Sequence, residues 1–228
     1  MKAVFFDLDY TLYDQRQYLK GALADVAEAV GRVCGRDWNS LRVSLFRTWN
    51  RLGTDCAYLF DAWLGEAGIF TPALLTLCVE AFHGHRARGL HLFKGADRVL
   101  RKLKQDYFLG LITDGHPLMQ RRKVGALSLE DRFDFILYTR ERSWGKPDPR
   151  IYRCALEAAA VKPGEAVYVG DHPVKDMAGA RQAGLYAVRL LRGEFRGWPD
   201  DETHPPHRRI RGLPSLPGAV ENLAGGER

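Results

Sequence analysis

The sequence predicts an α/β fold: a parallel sheet with helices on both faces, interrupted near its start by an all-helical insertion. Three observations carry that expectation. From residue 91 onward, short apolar runs alternate with helical periodicities, the pattern of repeated strand–helix units. Residues from about 15 to 90 show helical spacing only. The segments expected as strands also end in polar residues: Asp7 and Asp9, Thr113-Asp114-Gly115, and Gly170-Asp171. Ligands of open parallel sheets bind beyond the carboxyl ends of the strands, so these ends mark the candidate site.

The first strand is the apolar run Ala3 to Phe6, leading into Asp7-Leu8-Asp9-Tyr10-Thr11. An extended chain has a period of two, which would put Asp7 and Asp9 on one face and Leu8 on the other. Two acids at the end of a buried strand repel each other and lose solvation. A fold does not need them there, whereas a metal or a proton transfer would. Next, Leu19, Leu23, Val26, Val30 and Val33 recur at three- and four-residue steps, predicting an amphipathic helix. A second helix carries Leu41, Leu45, Phe46, Trp49 and Leu52, and a third lies around residues 58–64. Thr71 reads as a cap with Pro72 at the first helical position, opening a fourth helix through Phe82. The aromatics Trp38, Trp49, Tyr58 and Trp63 are expected mostly in the core of this insertion. His83, His85 and His91 do not read as a metal site, since Arg86 and Arg88 intervene and no acid accompanies them. The expected domains are thus 1–14 with 91–228, and 15–90.

In the second part, Val99, Leu100 and Leu103 mark a helix, followed by strands at residues 107–112, 135–138, 166–169 and 187–191. Helices are predicted at 118–127, 150–160 and 174–183, the last closed by Gly184. Residues 192–208, rich in Gly, Pro, Arg and Asp, read as an exposed loop. Ile210, Leu213, Leu216, Val220 and Leu223 suggest a short strand and helix returning to the core, and the final Gly-Gly-Glu-Arg is expected to fray.

Composition excludes several classes. With 228 residues, 46% hydrophobic and 27% charged, the chain has the make-up of an ordinary globular protein. The net charge of +6 is moderate, and the clusters Arg101-Lys102-Lys104 and Arg121-Arg122-Lys123 read as solvated helix faces, so nucleic acid is not an expected partner. Four cysteines without a C-x-x-C pair suit free thiols in a reducing compartment. No apolar run approaches a membrane span, and Asp7 precedes any room for a signal-peptide apolar region; the expected location is cytoplasmic, without a membrane partner.

The ordered set Asp7-x-Asp9-x-Thr11, Thr113, Lys146 before Pro147, and Gly170-Asp171 with Asp176 five residues later resembles the haloacid dehalogenase (HAD)-like hydrolase superfamily, in its phosphatase branch. The resemblance implies a Rossmann-like core with the insertion as a helical type-one cap domain. It also implies Asp7 as a nucleophile forming an aspartyl-phosphate, and Asp9 as the acid that protonates the leaving alkoxide and later activates water. By the same resemblance, Mg²⁺ would be held by Asp7, the backbone carbonyl of Asp9, and Asp171. Thr113, Asp114, Gly115 and Lys146 would hold the phosphoryl group, and Asp176 would orient Lys146 or a metal-bound water. The residues themselves support a cation: Asp7, Asp9, Asp171 and Asp176 set four carboxylates against one lysine, and a hard dication with oxygen ligands relieves that repulsion. In the superfamily that the sequence resembles, the haloacid dehalogenases proper lack the second acid, so the resemblance with Asp9 present implies phosphate transfer rather than carbon–halogen cleavage.

Two departures stand out, Asp114 where relatives often carry asparagine and His172 where many carry Ser or Thr. Asp114 adds negative charge near the phosphate and could point away, or accept from a substrate or a cap group; His172 could bond a metal-bound carboxylate or face solvent. The expected partner is a small phosphorylated molecule, and the protein a monomer or homodimer. Candidates for touching substrate are Tyr10, Tyr13 and His116, with Arg47, Trp49, Asn50, Arg51 and Tyr58 of the insertion. Two alternatives stay open: a sugar-phosphate mutase of the same superfamily, and a non-catalytic basic binding protein.

Overall fold

A strand without polar residues needs cover on both faces, and β1 (Ala3–Phe6) is buried at every position. In the computed structural model, which describes residues 1–225, β1 lies inside a six-stranded sheet in which every pair is parallel. The other strands are β2 (Phe108–Thr113), β3 (Phe135–Tyr138), β4 (Ala166–Gly170), β5 (Tyr186–Leu190) and β6 (Arg208–Ile210), in the order β3-β2-β1-β4-β5-β6. The order reverses direction at β1, between β2 and β4, which is where such sheets open a crevice for ligands.

The chain divides into two compact units, Met1–Gln15 together with the chain from Gly89 onward, and Arg16–Arg88. The helical unit holds α1 (Arg16–Cys34), α2 (Trp38–Leu52), α3 (Leu59–Glu66) and α4 (Pro72–Gly84). The sheet unit adds α5 (Ala96–Leu103), α6 (Pro117–Ala126), α7 (Pro149–Ala159), α8 (Gly179–Gln182) and α9 (Leu216–Gly225). The fraying expected of the last four residues falls, beyond Gly225, outside the described residues. No helix among the described residues is long and apolar enough to cross a membrane. All four cysteines are free thiols.

On one face of the sheet Phe5, Ile112, Ile151, Tyr152, Tyr168 and Met177 form a continuous buried cluster. Burying each such side chain contributes on the order of 1.5–3 kcal/mol. Gly110 of β2 is required by that packing, because a Cβ there would run into the ring of Phe5.

The helix expected over 174–183 is divided. Pro173–Ala178 is a π-helical turn, and regular α-helix begins only at Gly179. The His172 carbonyl accepts from the N–H groups of both Asp176 and Met177, each at 3.2 Å, which widens the turn. The stretch 192–208, expected as a plain exposed loop, is pinned from below. Arg189 of β5, 1% exposed, donates to the carbonyls of Phe195 and Trp198 (2.5 and 3.0 Å), to that of Asp171 (3.2 Å) and to the Asp200 carboxylate. Phe195 is accordingly buried.

In the helical unit α1 packs on α2 and α4. Asp37 caps α2 by accepting from Ser40 N–H at 2.9 Å, and Thr71 caps α4 by accepting from Leu74 N–H at 3.1 Å. Trp49 and Trp63 are core residues, and Trp63 Nε1 donates to Ser44 Oγ at 2.9 Å. Three expected core residues are not. Val33 sits in the last turn of α1, past its packed face, and is 68% exposed. Tyr58 precedes α3 and is 60% exposed, and Trp38 opens α2 and lies under Arg42. His85, read as lacking an acid, has one in space: its Nδ1 lies 2.7 Å from Asp25 Oδ2 of α1.

Candidate active site

Asp7 is fixed by the sheet, its N–H donating to Val169 O of β4 at 2.9 Å. Beyond it the chain stops being extended. Thr11 and Leu12 N–H both donate to Leu8 O, and Tyr10 adopts a positive φ of 56°. The regular strand β1 ends at Phe6, and the two carboxylates that follow it are bound by different cations. Lys146 Nζ donates to Asp7 Oδ1 at 2.6 Å. Lys123 Nζ of α6 donates to both oxygens of Asp9, at 2.8 and 3.0 Å.

Lys146 arrives on the turn before α7 and spends its three N–H bonds on Asp7, Asp176 Oδ1 (2.7 Å) and the Tyr168 hydroxyl (3.2 Å). Asp176 comes from the π-helical turn and accepts the His172 N–H at 3.0 Å. Gly170 makes room for it, because any Cβ at that position would collide with the Asp176 carboxylate. Asp171 follows directly. One carboxylate oxygen each from Asp7, Asp171 and Asp176 lie within 4.8 Å of one another, all three residues buried.

One lysine does not neutralise three buried carboxylates. Burial first, then Asp176 and Asp9, push Asp7 up from 3.8 to about 7 against the pull of Lys146. Burial, Asp176 and Asp7 push Asp171 well above the usual carboxylate range. Lys146 is held charged: burial opposes the charge, but Asp176 and Asp7 outweigh it. Asp9 goes the other way, since Lys123 and the bonds from Tyr13 and Gln120 overcome its burial and lower it. The buried oxygen Oδ2 of Asp171 finds no hydrogen-bond partner among the described residues, which a buried carboxylate seldom tolerates. An all-oxygen donor set with excess negative charge and an orphaned oxygen fits a hard divalent cation.

Thr113 ends β2 fully buried, and its Oγ1 accepts from Gln120 Nε2 at 2.6 Å, leaving the hydroxyl hydrogen to donate. Asp114, expected beside a phosphate, turns its carboxylate to the Thr139 hydroxyl and the Lys146 N–H (3.3 Å). It steadies the turn carrying Lys146, so the phosphate-facing candidates at this strand end are backbone groups of Asp114 and Gly115. His172 neither bonds a neighbouring carboxylate through Nδ1 nor stands idle: that nitrogen accepts from Val174 and Lys175 N–H, both at 3.1 Å. Imidazole thus performs the capping that Ser or Thr performs at such positions. Tyr10 and Tyr13, expected at an entrance, are buried. Tyr13 donates to Asp9 Oδ1 at 2.6 Å instead. His116 is exposed just before α6.

Sequence reasoning missed Gln120, Lys123, Tyr168 and Arg189. A signal existed for the first two: they lie three residues apart, hence on one face of α6, directly after the Thr113 strand end. Lys123 was hidden inside a basic triplet whose other members, Arg121 and Arg122, are exposed and half-buried.

A family model described as haloacid dehalogenase-like hydrolase matches residues 1–184. The chain belongs to this family. Among relatives, glyceraldehyde 3-phosphate phosphatase from Pyrococcus furiosus is 32% identical over 198 residues, covering 86% of this chain and 82% of that protein. Phosphoserine phosphatase from Thermus thermophilus is 33% identical over 245 residues, covering 93% and 96%. Among solved structures, the 2-haloacid dehalogenase from Pseudomonas syringae pv. Tomato DC3000 is 28% identical, with a TM-score of 0.68 over 97% of this chain and 99% of that one. This HAD-like hydrolase therefore has relatives named for two chemistries, hydrolysis of a phosphate ester and removal of a halide.

Proposed function

We propose that the protein is a Mg²⁺-dependent phosphomonoesterase acting on a small organic phosphate through an aspartyl-phosphate on Asp7. The observation that carries this reading is the pair of acids held apart by separate lysines, Asp7 by Lys146 and Asp9 by Lys123. A halide leaves without a proton, so a dehalogenase has no task for the second acid. An alkoxide is a strong base and needs one. The phosphatase relatives at 32% and 33% identity point the same way.

Mg²⁺ would be held by Asp7, the backbone carbonyl of Asp9 and Asp171, with Asp176 beside them, and when bound it supplies charge that offsets the carboxylates and the phosphoryl oxygens. The chain does the rest. An Asp7 carboxylate oxygen forms a bond to phosphorus while the bond from phosphorus to the ester oxygen breaks, and Asp9 gives that oxygen its proton, releasing an alcohol. Asp9, now a carboxylate, takes a proton from water as the water oxygen attacks phosphorus; the bond to Asp7 breaks and inorganic phosphate leaves. Thr113 Oγ–H and the positive charge of Lys146 stabilise the equatorial oxygens, where charge spreads in the loose transition state. Asp176 and Tyr168 orient Lys146. In the same reading the helical unit acts as the cap.

The test is phosphate release from p-nitrophenyl phosphate and a panel of phosphorylated metabolites that includes glyceraldehyde 3-phosphate and phosphoserine. Release is expected with Mg²⁺, to be lost with EDTA and restored by added Mg²⁺. Equal release with and without the chelator, or chloride release from 2-chloropropionate without any phosphate release, contradicts the proposal.

A further inference from the structure

Lys123 is a buried cation that the known motifs leave without a task. It is 3% exposed, although in the same triplet Arg121 is exposed and Arg122 only half-buried. Its Nζ straddles both oxygens of Asp9, at 2.8 and 3.0 Å. Gln120, one turn earlier on α6, places its amide nitrogen 2.8 Å from Asp9 Oδ2, and the same nitrogen lies 2.6 Å from Thr113 Oγ1 and from the Asp114 carbonyl. Tyr13 closes the remaining side, donating to Asp9 Oδ1 at 2.6 Å. Both carboxylate oxygens are thereby fixed in direction. Taking an ammonium group out of water is costly, and a tie between α6 and the loop after β1 could be made by apolar packing. A cation that grips both oxygens of one acid is suited to aiming that acid.

We propose that Lys123, assisted by Gln120, is a positioning residue that holds Asp9 in the orientation from which it protonates the leaving oxygen. The inference rests on the phosphomonoesterase reading. In the step concerned, the Asp9 proton passes to the ester oxygen as its bond to phosphorus breaks and the bond from Asp7 to phosphorus forms; Lys123 keeps its own protons throughout. Through Gln120 the same device ties Asp9 to Thr113, so the acid and a phosphate-binding hydroxyl share one anchor.

A structural tie and a positioning device respond differently to the leaving group. Nitrophenolate departs without a proton, whereas an alkoxide does not. The experiment measures kcat/KM, which reports the first half-reaction, for wild type, Lys123→Met and Lys123→Arg. The substrates are p-nitrophenyl phosphate and the alkyl phosphomonoester turned over best in the metabolite panel. Lys123→Met is expected to lose about 100-fold or more on the alkyl ester, the scale of general acid catalysis, and no more than about 3-fold on the nitrophenyl ester. Lys123→Arg should recover part of the loss on the alkyl ester alone. A crystal structure of Lys123→Met supplies a second readout: the Asp9 carboxylate is expected to leave its place between Tyr13 and Gln120. Equal losses on both esters, or an Asp9 that stays in place, overturn the proposal. Wild-type protein that hydrolyses neither ester refutes the phosphomonoesterase reading, and the Asp9 position in the variant crystal then decides the positioning claim by itself.

Discussion

Asp7→Asn is expected to abolish phosphate release while leaving the protein at least as stable as wild type. The amide has the same shape but no lone-pair charge with which to attack phosphorus, and loss of a nucleophile costs at least about 10³-fold in kcat. Stability follows from the sign of the shift. Asp7 titrates near 3.8 when solvated and about 7 in the fold, so the folded state holds its proton over that window and the unfolded state does not. The group's contribution to stability therefore falls as pH rises from about 4 to 7, and above 7 the charged carboxylate is a net burden on the metal-free fold. Asparagine removes the burden, together with its repulsion of Asp171 and Asp176. Thermal melting in EDTA at pH 8 should place the variant at or above wild type. A fall of several degrees would mean that the Lys146–Asp7 bond matters more than carboxylate crowding.

Lys146→Met is expected to do the reverse at the other end of the same 2.6 Å bond. Removing the cation leaves Asp7 and Asp176 buried without their counter-charge, and breaking a buried pair in this way costs about 3–5 kcal/mol. For a domain of this size that corresponds to a loss on the order of 10 °C in Tm. Activity should fall at least about 100-fold, because a preorganised charge beside the phosphoryl oxygens is lost. Added Mg²⁺ should restore part of the melting temperature and none of the turnover. A double variant, Asp7→Asn with Lys146→Met, should be less destabilised than Lys146→Met, since one of the orphaned charges is gone; strict additivity would show that the two side chains do not act as a unit. Unchanged melting in Lys146→Met would contradict the electrostatic account.

Much of this was legible in the sequence. Buried parallel strands are read easily because they are apolar throughout; Asp7, Thr113 and Asp171 stand at or just past their ends, while Lys146 and Asp176 come from the turns around the helices that follow β3 and β4. What was illegible was the set of groups around Asp9. Alternation along the first strand says nothing of α6, whose Lys123 and Gln120 reach that carboxylate from more than a hundred residues away in the chain. In sequence Lys123 is an ordinary member of a basic triplet. Likewise Arg189 reads as one arginine in a strand, and only the return of the 193–200 segment shows it as an anchor. Val33 and Tyr58 fell outside the helical core because hydrophobic spacing does not reveal where a packed face stops.

The central claim is that Asp7 carries the phosphoryl group. It is tested most directly by stopping turnover in acid, reducing the protein with borohydride and locating the modified residue by peptide mass. Reduction turns a phosphorylated aspartate into homoserine, and the account predicts homoserine at position 7. Homoserine or phosphate at any other residue, with Asp7 intact during steady turnover, would contradict it.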